Sequence, residues 1–265
     1  MQQNLKIVYY VEPNMAALAR RAADFFVEQA VQAVTARGVA RIAISGGSTP
    51  KTAFATLAEQ GEEWRVRMPW EKIDLWWVDE RCVPPDDAES NYRMTREALL
   101  DHVPLKPEQI HRMEGEREPD DAAARYEAEM RKSFGLYGTE TPRFDLVQLG
   151  IGPDGHTASL FPYTDALRVT DRLVTANYVE KLDMWRVTLT RPVINHARQV
   201  FFLIAGTDKA MILNEVLEGE RDPERLPSQF IAPVNGILTL LLDQAAAALL
   251  PAPDAQGYGV IERTE

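Results

Sequence analysis

The chain has 265 residues, 45% of them hydrophobic, with a formal net charge of -11 and a single cysteine, Cys82. No apolar run approaches the roughly 18 residues of a membrane span, and one cysteine cannot close an internal disulfide. The acidic balance argues against nucleic acid, whose binding depends on Lys and Arg neutralising phosphates; a small anionic ligand stays open, because a few cations and backbone N–H groups can converge locally.

The opening MQQNLKIVYYV has no basic segment followed by an apolar core and a small-residue cleavage site, so a cytoplasmic location is the default expectation. Its KIVYYV is the first strand candidate. MAALARRAADFFVEQAVQAVTAR then reads as a helix closed by Gly38, ARIAIS as a strand, TPKTAFATLAEQ as a helix closed by Gly61, and KIDLWWVD as a strand. Helical patterns follow in SNYRMTREALLDHV and in PDDAAARYEAEMRKSF, closed by Gly135, before the strands RFDLVQLG, VTLT and QVFFLIAG. Pro or Ser/Thr at the first turn and Gly just past the last are the start and stop signals used. Apolar strands separated by helices indicate a mostly parallel α/β sheet with helices on both faces. Segments 104–119 and 217–233, rich in Pro and charge, read as surface connections. No repeat or low-complexity linker divides the chain, so one α/β domain over residues 1–265 is expected.

Ligands of such sheets bind beyond the carboxyl ends of the strands. After ARIAI comes Ser45-Gly46-Gly47-Ser48-Thr49-Pro50-Lys51, a glycine turn entering a helix. Its glycines allow close backbone approach, its hydroxyls can donate, and free helix N–H groups attract an anion. It lacks the G-x-x-x-x-G-K-[ST] pattern of a nucleotide loop, so a small phosphate ester suits it better. After IDLWWV comes Asp79-Glu80-Arg81; RVTLT carries Arg186; FFLIAG opens into Gly206-Thr207-Asp208-Lys209.

Gly150, Gly152 and Gly155 in LGIGPDGHTASLFP form a G-x-G-x-x-G behind a strand. A dinucleotide loop is rejected: Asp154 would repel a pyrophosphate, and Pro162 forestalls the long helix that the fingerprint requires. Collected at one end of the sheet, Ser45, the Gly46–Gly47 backbone, Ser48, Thr49, Arg81, Arg186 and Lys209 would form an anion clamp beside Asp79, Asp154 and His156. His156 is the natural proton carrier, and a neighbouring carboxylate can hold its tautomer. His102, His111 and His196 have no such company and are assigned to capping or packing. No serine sits in a G-x-S-x-G elbow. A Cys82/His156 nucleophilic pair is conceivable because Arg81 adjoins the thiol, but a buried inert thiol is the preferred reading. No ligand spacing for a metal is present, and neither a metal nor a cofactor is expected.

The stretches SGGSTPKTAFATL, WWVDERCVPPDDAESNYRMTREALL, FDLVQLGIGPDGHTASLFP, RVTLTRPVINHARQVFFLIAGTDKA and LPSQFIAP through NGILTLLLDQAAA together resemble the 6-phosphogluconolactonases in order along nearly the whole chain. The resemblance implies a Rossmann-like fold shared with glucosamine-6-phosphate deaminases and ribose-5-phosphate isomerases. It implies hydrolysis of 6-phospho-D-glucono-1,5-lactone in the oxidative pentose phosphate pathway, with His156 as general base and Asp154 orienting it. Arg81 or backbone N–H groups of the 150–156 loop would stabilise the oxyanion; Ser45, the glycine backbone, Arg186 and Lys209 would hold the phosphate; Asp79 would bind sugar hydroxyls or support Arg81. Gly152 and Gly155 are then explained by close approach of the chain to the sugar. The aliphatic LTLLLD, where the family often has a Trp, is a departure expected to touch packing and not chemistry. The expected partner is a phosphorylated sugar lactone, with no nucleic acid or membrane, and the chain a monomer or small homo-oligomer. The alternatives are a sugar-phosphate isomerase or deaminase on the same fold, and a noncatalytic sugar-phosphate sensor.

Overall fold

The computed structural model describes residues 4–61 and 63–264. The chain opens with β1 (Asn4–Glu12), α1 (Met15–Arg37), β2 (Ala40–Ile44), α2 (Ser48–Ala58), α3 (Glu63–Arg67) and β3 (Ile73–Trp77). Next come β4 (Asp79–Arg81), α4 (Asn91–Ala98), β5 (Ile110–His111), α5 (Pro119–Phe134), β6 (Leu146–Leu149), β7 (Val174–Val179) and β8 (Met184–Leu189). The last elements are α6 (Arg191–Asn195), β9 (Gln199–Ile204), α7 (Ala210–Glu218), β10 (Ile237–Asp243) and β11 (Tyr258–Thr264).

Eight strands form one sheet in the order β11-β1-β10-β9-β6-β2-β3-β5. Every pairing in it is parallel except β1 with β11. Period-two alternation sends successive side chains to opposite faces, and the neighbouring tryptophans of β3 show the result. Trp77 joins Ile42, Ile44, Phe54 and Phe201 in a core beneath α1 and α2, whereas Trp76 joins Tyr126, Phe144, Val147 and Phe202 in the core beneath α5. Both indoles are fully buried, which is why these strands read as unbroken apolar runs. In β10, Leu238, Leu240, Leu241 and Leu242 are all buried, so aliphatic packing fills the LTLLLD stretch.

Helix boundaries follow local chemistry where caps are present. The Asn14 side chain accepts from Ala17 N–H at 3.0 Å at the start of α1, a cap worth about 1 kcal/mol, and Gly38 and Gly135 close α1 and α5 in the left-handed conformation. Three expectations require correction. The helix expected to reach Gly61 stops at Ala58 with Glu59 as its cap, and the pattern SNYRMTREALLDHV is α-helical only to Ala98, continuing as a 3-10 turn over Leu100–His102. Segment 217–233 is not a mere surface connection, because Leu226, Ser228, Gln229 and Ile231 are buried; segment 104–119 likewise supplies edge strand β5 and the buried Met113.

A second sheet of three strands, β4-β8-β7, is antiparallel and was not anticipated. Val78 is the crossing point: its N–H donates to the Ile44 carbonyl at 2.9 Å, and its own carbonyl accepts from Leu189 N–H at 2.8 Å. The chain thereby leaves the large sheet after Trp77 and enters the small one at Asp79. This switch brings the end of β3 against the end of β8, at the carboxyl end of the large sheet where β2, β6 and β9 terminate.

Candidate active site

Four strand ends converge there. In the loop after β6, the imidazole Nδ1 of His156 lies 2.5 Å from Asp154 Oδ1, and the His156 backbone N–H reaches the same oxygen at 3.2 Å. With Nδ1–H committed to the carboxylate, Nε2 carries the free lone pair. The ring stacks on Phe161 with centroids 3.9 Å apart and planes 21° apart, and Lys181 forms an ion pair with Asp154 Oδ2. The loop is closed by Gly152 N–H to the His156 carbonyl at 2.8 Å and Gly155 N–H to the Gly152 carbonyl at 3.0 Å. A Cβ at position 152 would stand 2.0 Å from the imidazole, so the need for glycine there arises inside the protein: the chain makes room for its own histidine. At Gly155 the neighbour is Leu226, 2.7 Å from where a Cβ would be, and the Gly155 carbonyl accepts from both the N–H and the hydroxyl of Ser228. Segment 217–233 therefore underpins the loop.

The loop after β2 is built differently. Gly47 is the N-cap of α2 and no side chain caps that helix, which leaves its first-turn N–H groups directed outward. Ser45 is held from below: its N–H donates to Gln148 Oε1 at 3.0 Å, and Gln148 Nε2 donates to its hydroxyl at 2.9 Å. Gly46 passes so close to Asn91 that a Cβ would lie 1.8 Å from the amide oxygen. Asn91 in turn donates to the Asp79 carbonyl at 3.0 Å.

The small sheet contributes the cations. Arg81 of β4 pairs directly opposite Arg186 of β8, a like-charge juxtaposition that is unfavourable unless an anion intervenes. Arg186 is only 7% exposed, and its Nε is buried without a hydrogen-bond partner, as is that of Arg81. Arg81 donates through Nη1 to the Glu89 carbonyl, and the Arg186 guanidinium sits 5.3 Å above the Phe161 ring. Asp79 is fixed by Ser159, whose hydroxyl donates to Oδ2 at 2.7 Å, and forms no ion pair with Arg81 among the described residues. Lys209 arrives from the turn before α7, with Asp208 at 3.4 Å.

The electrostatics tie these groups together. Burial depresses the His156 pKa to about 4; Asp79 opposes the shift, while the charges of Arg186, Lys209 and Arg81 add to it. The imidazole is therefore neutral near pH 7 and able to accept a proton. Cys82 moves the other way: burial, with Glu80 and Glu118, pushes its thiol up to about 12, which leaves no thiolate for the Cys82/His156 pair. His196 bonds the Pro142 carbonyl; His111 stacks on Trp76 but, against expectation, also has a carboxylate partner, Glu129 at 2.6 Å from its Nδ1.

Several members of the site lie outside the residues singled out from sequence. Lys181, Asn91, Ser159, Phe161 and Gln148 all touch or support it. Only Gln148 announces itself, as an amide in the middle of the apolar run FDLVQLG that must find buried partners.

Residues 13–240 match the family model described as glucosamine-6-phosphate isomerases/6-phosphogluconolactonase. The chain is 42% identical over 239 residues to a 6-phosphogluconolactonase of Synechocystis, covering 90% of this chain and 96% of that one. A solved 6-phosphogluconolactonase from Trypanosoma cruzi superposes with a TM-score of 0.78 at 32% identity, covering 91% of this chain and 96% of the other. A monomeric glucosamine-6-phosphate deaminase shares the fold, with a TM-score of 0.74 at 21% identity over 91% of this chain and 99% of its own.

Proposed function

Since this chain belongs to the glucosamine-6-phosphate isomerase/6-phosphogluconolactonase family, we propose that it hydrolyses 6-phospho-D-glucono-1,5-lactone to 6-phospho-D-gluconate. One observation carries the reading: a neutral, carboxylate-oriented imidazole lies within the field of two buried-edge arginines that face each other across a strand pair. Such a site suits a substrate with a phosphate at one end and an electrophilic carbonyl at the other.

Nε2 of His156 takes a proton from water as its oxygen attacks the lactone carbonyl carbon. The carbonyl oxygen becomes an oxyanion. Within the loop, the amides of Gly152, Gly155 and His156 are already committed, so the oxyanion is held by Arg81 or by the other amides of the 150–156 loop. The tetrahedral species collapses with cleavage of the bond from the carbonyl carbon to the ring oxygen, and the imidazolium returns its proton to that oxygen. A lactone is an activated ester, so this cycle needs no covalent nucleophile. Arg186, Lys209, Ser45, Ser48, Thr49 and the Gly46–Gly47 backbone hold the phosphate, and that remote binding energy fixes the carbonyl against the base. Asp79, locked by Ser159, faces the sugar.

The test follows freshly made lactone through NADP-dependent 6-phosphogluconate dehydrogenase, with His156→Ala beside the wild type and a buffer blank for spontaneous opening. The wild type should exceed the blank, and the variant should lose on the order of 10²- to 10⁴-fold in kcat. A wild type no faster than buffer would sink the proposal. Ammonia released from glucosamine 6-phosphate would point instead to the deaminase chemistry of the family.

A further inference from the structure

The opposite end of the same strands carries a second cationic recess. Arg37 at the end of α1, Arg41 at the start of β2, Arg143 before β6 and Arg198 before β9 line a cavity of about 470 Å³, together with the carboxylates of Glu140 and Asp145. Four guanidinium groups face two carboxylates there, in a chain that is acidic overall. A recess of this volume is in the range of small-molecule sites.

One carboxylate is fully engaged, and the other is held by a single backbone N–H. Asp145 is 6% exposed; its Oδ1 takes Arg37 Nε at 2.7 Å and lies 3.3 Å from Arg198 Nε, and its Oδ2 accepts the Arg41 backbone N–H at 2.9 Å. Glu140 accepts the Tyr137 backbone N–H at 2.8 Å. Arg41 is further engaged by Asp74 at 3.7 Å and by the Ser133 carbonyl at 3.3 Å. Among the described residues Arg143 has no carboxylate partner: Nη2 donates to the Asn235 carbonyl at 2.7 Å, and its buried Nε has no hydrogen bond. Burial lowers the Arg198 pKa, and the positive charges of Arg143 and Arg37 add to the shift while Asp145 opposes it. Set against Asp145, Asp74 and Glu140, the four guanidinium groups leave an excess of positive charge centred on Arg143, which favours an anion beside it, and planar guanidinium forks match a phosphate.

We infer that this recess is a second anion site, built for the phosphate of a small phosphorylated molecule and separate from the hydrolytic site. The separation is set by the sheet. Arg198 precedes β9 and Gly206 follows it, and the six residues of β9 span about 20 Å.

Equilibrium dialysis of the full chain against inorganic phosphate at low ionic strength counts the sites. Two phosphates per chain are expected. Arg143→Gln should weaken one of them ~10-fold or more, while lactone hydrolysis stays within about twofold of wild type because the sites are far apart. Arg186→Gln should weaken the other and leave the first intact. Arg143→Lys, which keeps the charge and loses the fork, should retain part of the affinity. Arg198→Gln gives an independent reading should Arg143→Gln fold poorly by circular dichroism. A single phosphate per chain that Arg186→Gln removes, a second one indifferent to both Arg143→Gln and Arg198→Gln, or no binding at all would overturn the inference.

Discussion

The two glycine loops of the active site use the same residue for opposite ends. In the loop after β6, Gly152 makes space for a side chain of the protein itself, the imidazole that would otherwise meet a Cβ at 2.0 Å, and the amides of Gly152, Gly155 and His156 are consumed holding that loop shut. In the loop after β2, Gly46 slides past Asn91 and the uncapped first turn of α2 leaves N–H groups for a ligand. One loop is closed on its own chemistry, the other open to a guest. Glycine spacing alone therefore does not report what a loop binds; the partners of its amides do.

The sharpest way to break this contrast is Gly152→Ala. The added methyl must push the His156 ring away from both the Phe161 stack and the Asp154 bond. A misplacement of about 1 Å at a catalytic group can cost ~10²-fold, so kcat should fall by that order while KM changes little. Unchanged kcat in steady-state kinetics would mean that the imidazole position is not what the glycine protects.

Arg186→Gln probes the open side. It removes the charge-assisted phosphate contact proposed for Arg186, which would be worth about 1.5–3 kcal/mol or ~10- to 100-fold in kcat/KM, with KM carrying most of the loss. It also removes one of the cations that depress His156, so the imidazole should titrate above the wild-type midpoint of about 4. An NMR titration of the His156 ring and a KM measurement test both halves. A KM left unchanged would take Arg186 out of the clamp.

Gly46→Ala should act more mildly and on binding alone. Its methyl must displace the amide of the buried Asn91, which bonds the Asp79 carbonyl but not the base, so KM should rise by about tenfold with kcat within a factor of about three. A larger fall in kcat than in affinity would erase the distinction between the two loops.

How much of this was legible in the sequence depended on how local the determinants were. Helix α5 was read end to end because Pro119 and Gly135 mark its limits in the chain itself. Asp154 and His156 were readable together because they are two residues apart in one loop. The small sheet was hidden by its own charges: Asp79-Glu80-Arg81 looks like a solvated turn, yet Glu80 is 2% exposed. It is tolerated because the backbone N–H groups of Arg81, Asn91 and Tyr92 and the Ser90 hydroxyl all donate to its carboxylate. Those partners sit across a turn, and no periodicity records them. Strand β7 mixes buried Asn177 with exposed Tyr178, so its alternation is blurred. With that sheet unread, the β7–β8 connection bearing Lys181 could not be placed against Asp154.

Lys181 is the subtlest element of the closed loop. Its ammonium pairs with the Asp154 oxygen that does not face the imidazole, so it offsets the negative charge that would otherwise stabilise an imidazolium. A Lys181→Met variant should therefore raise the His156 pKa, from about 4 toward its ordinary value. The lysine side chain is 50% exposed, and solvent screening keeps the effect small. Because the imidazole stays mostly neutral at pH 7 after such a shift, activity there should hardly change, whereas below pH ~5.5 the variant should lose protonatable base sooner than wild type. A His156 titration that is the same in both proteins would show that Lys181 is a surface ion pair without influence on the base, and the closed loop would then end at Asp154.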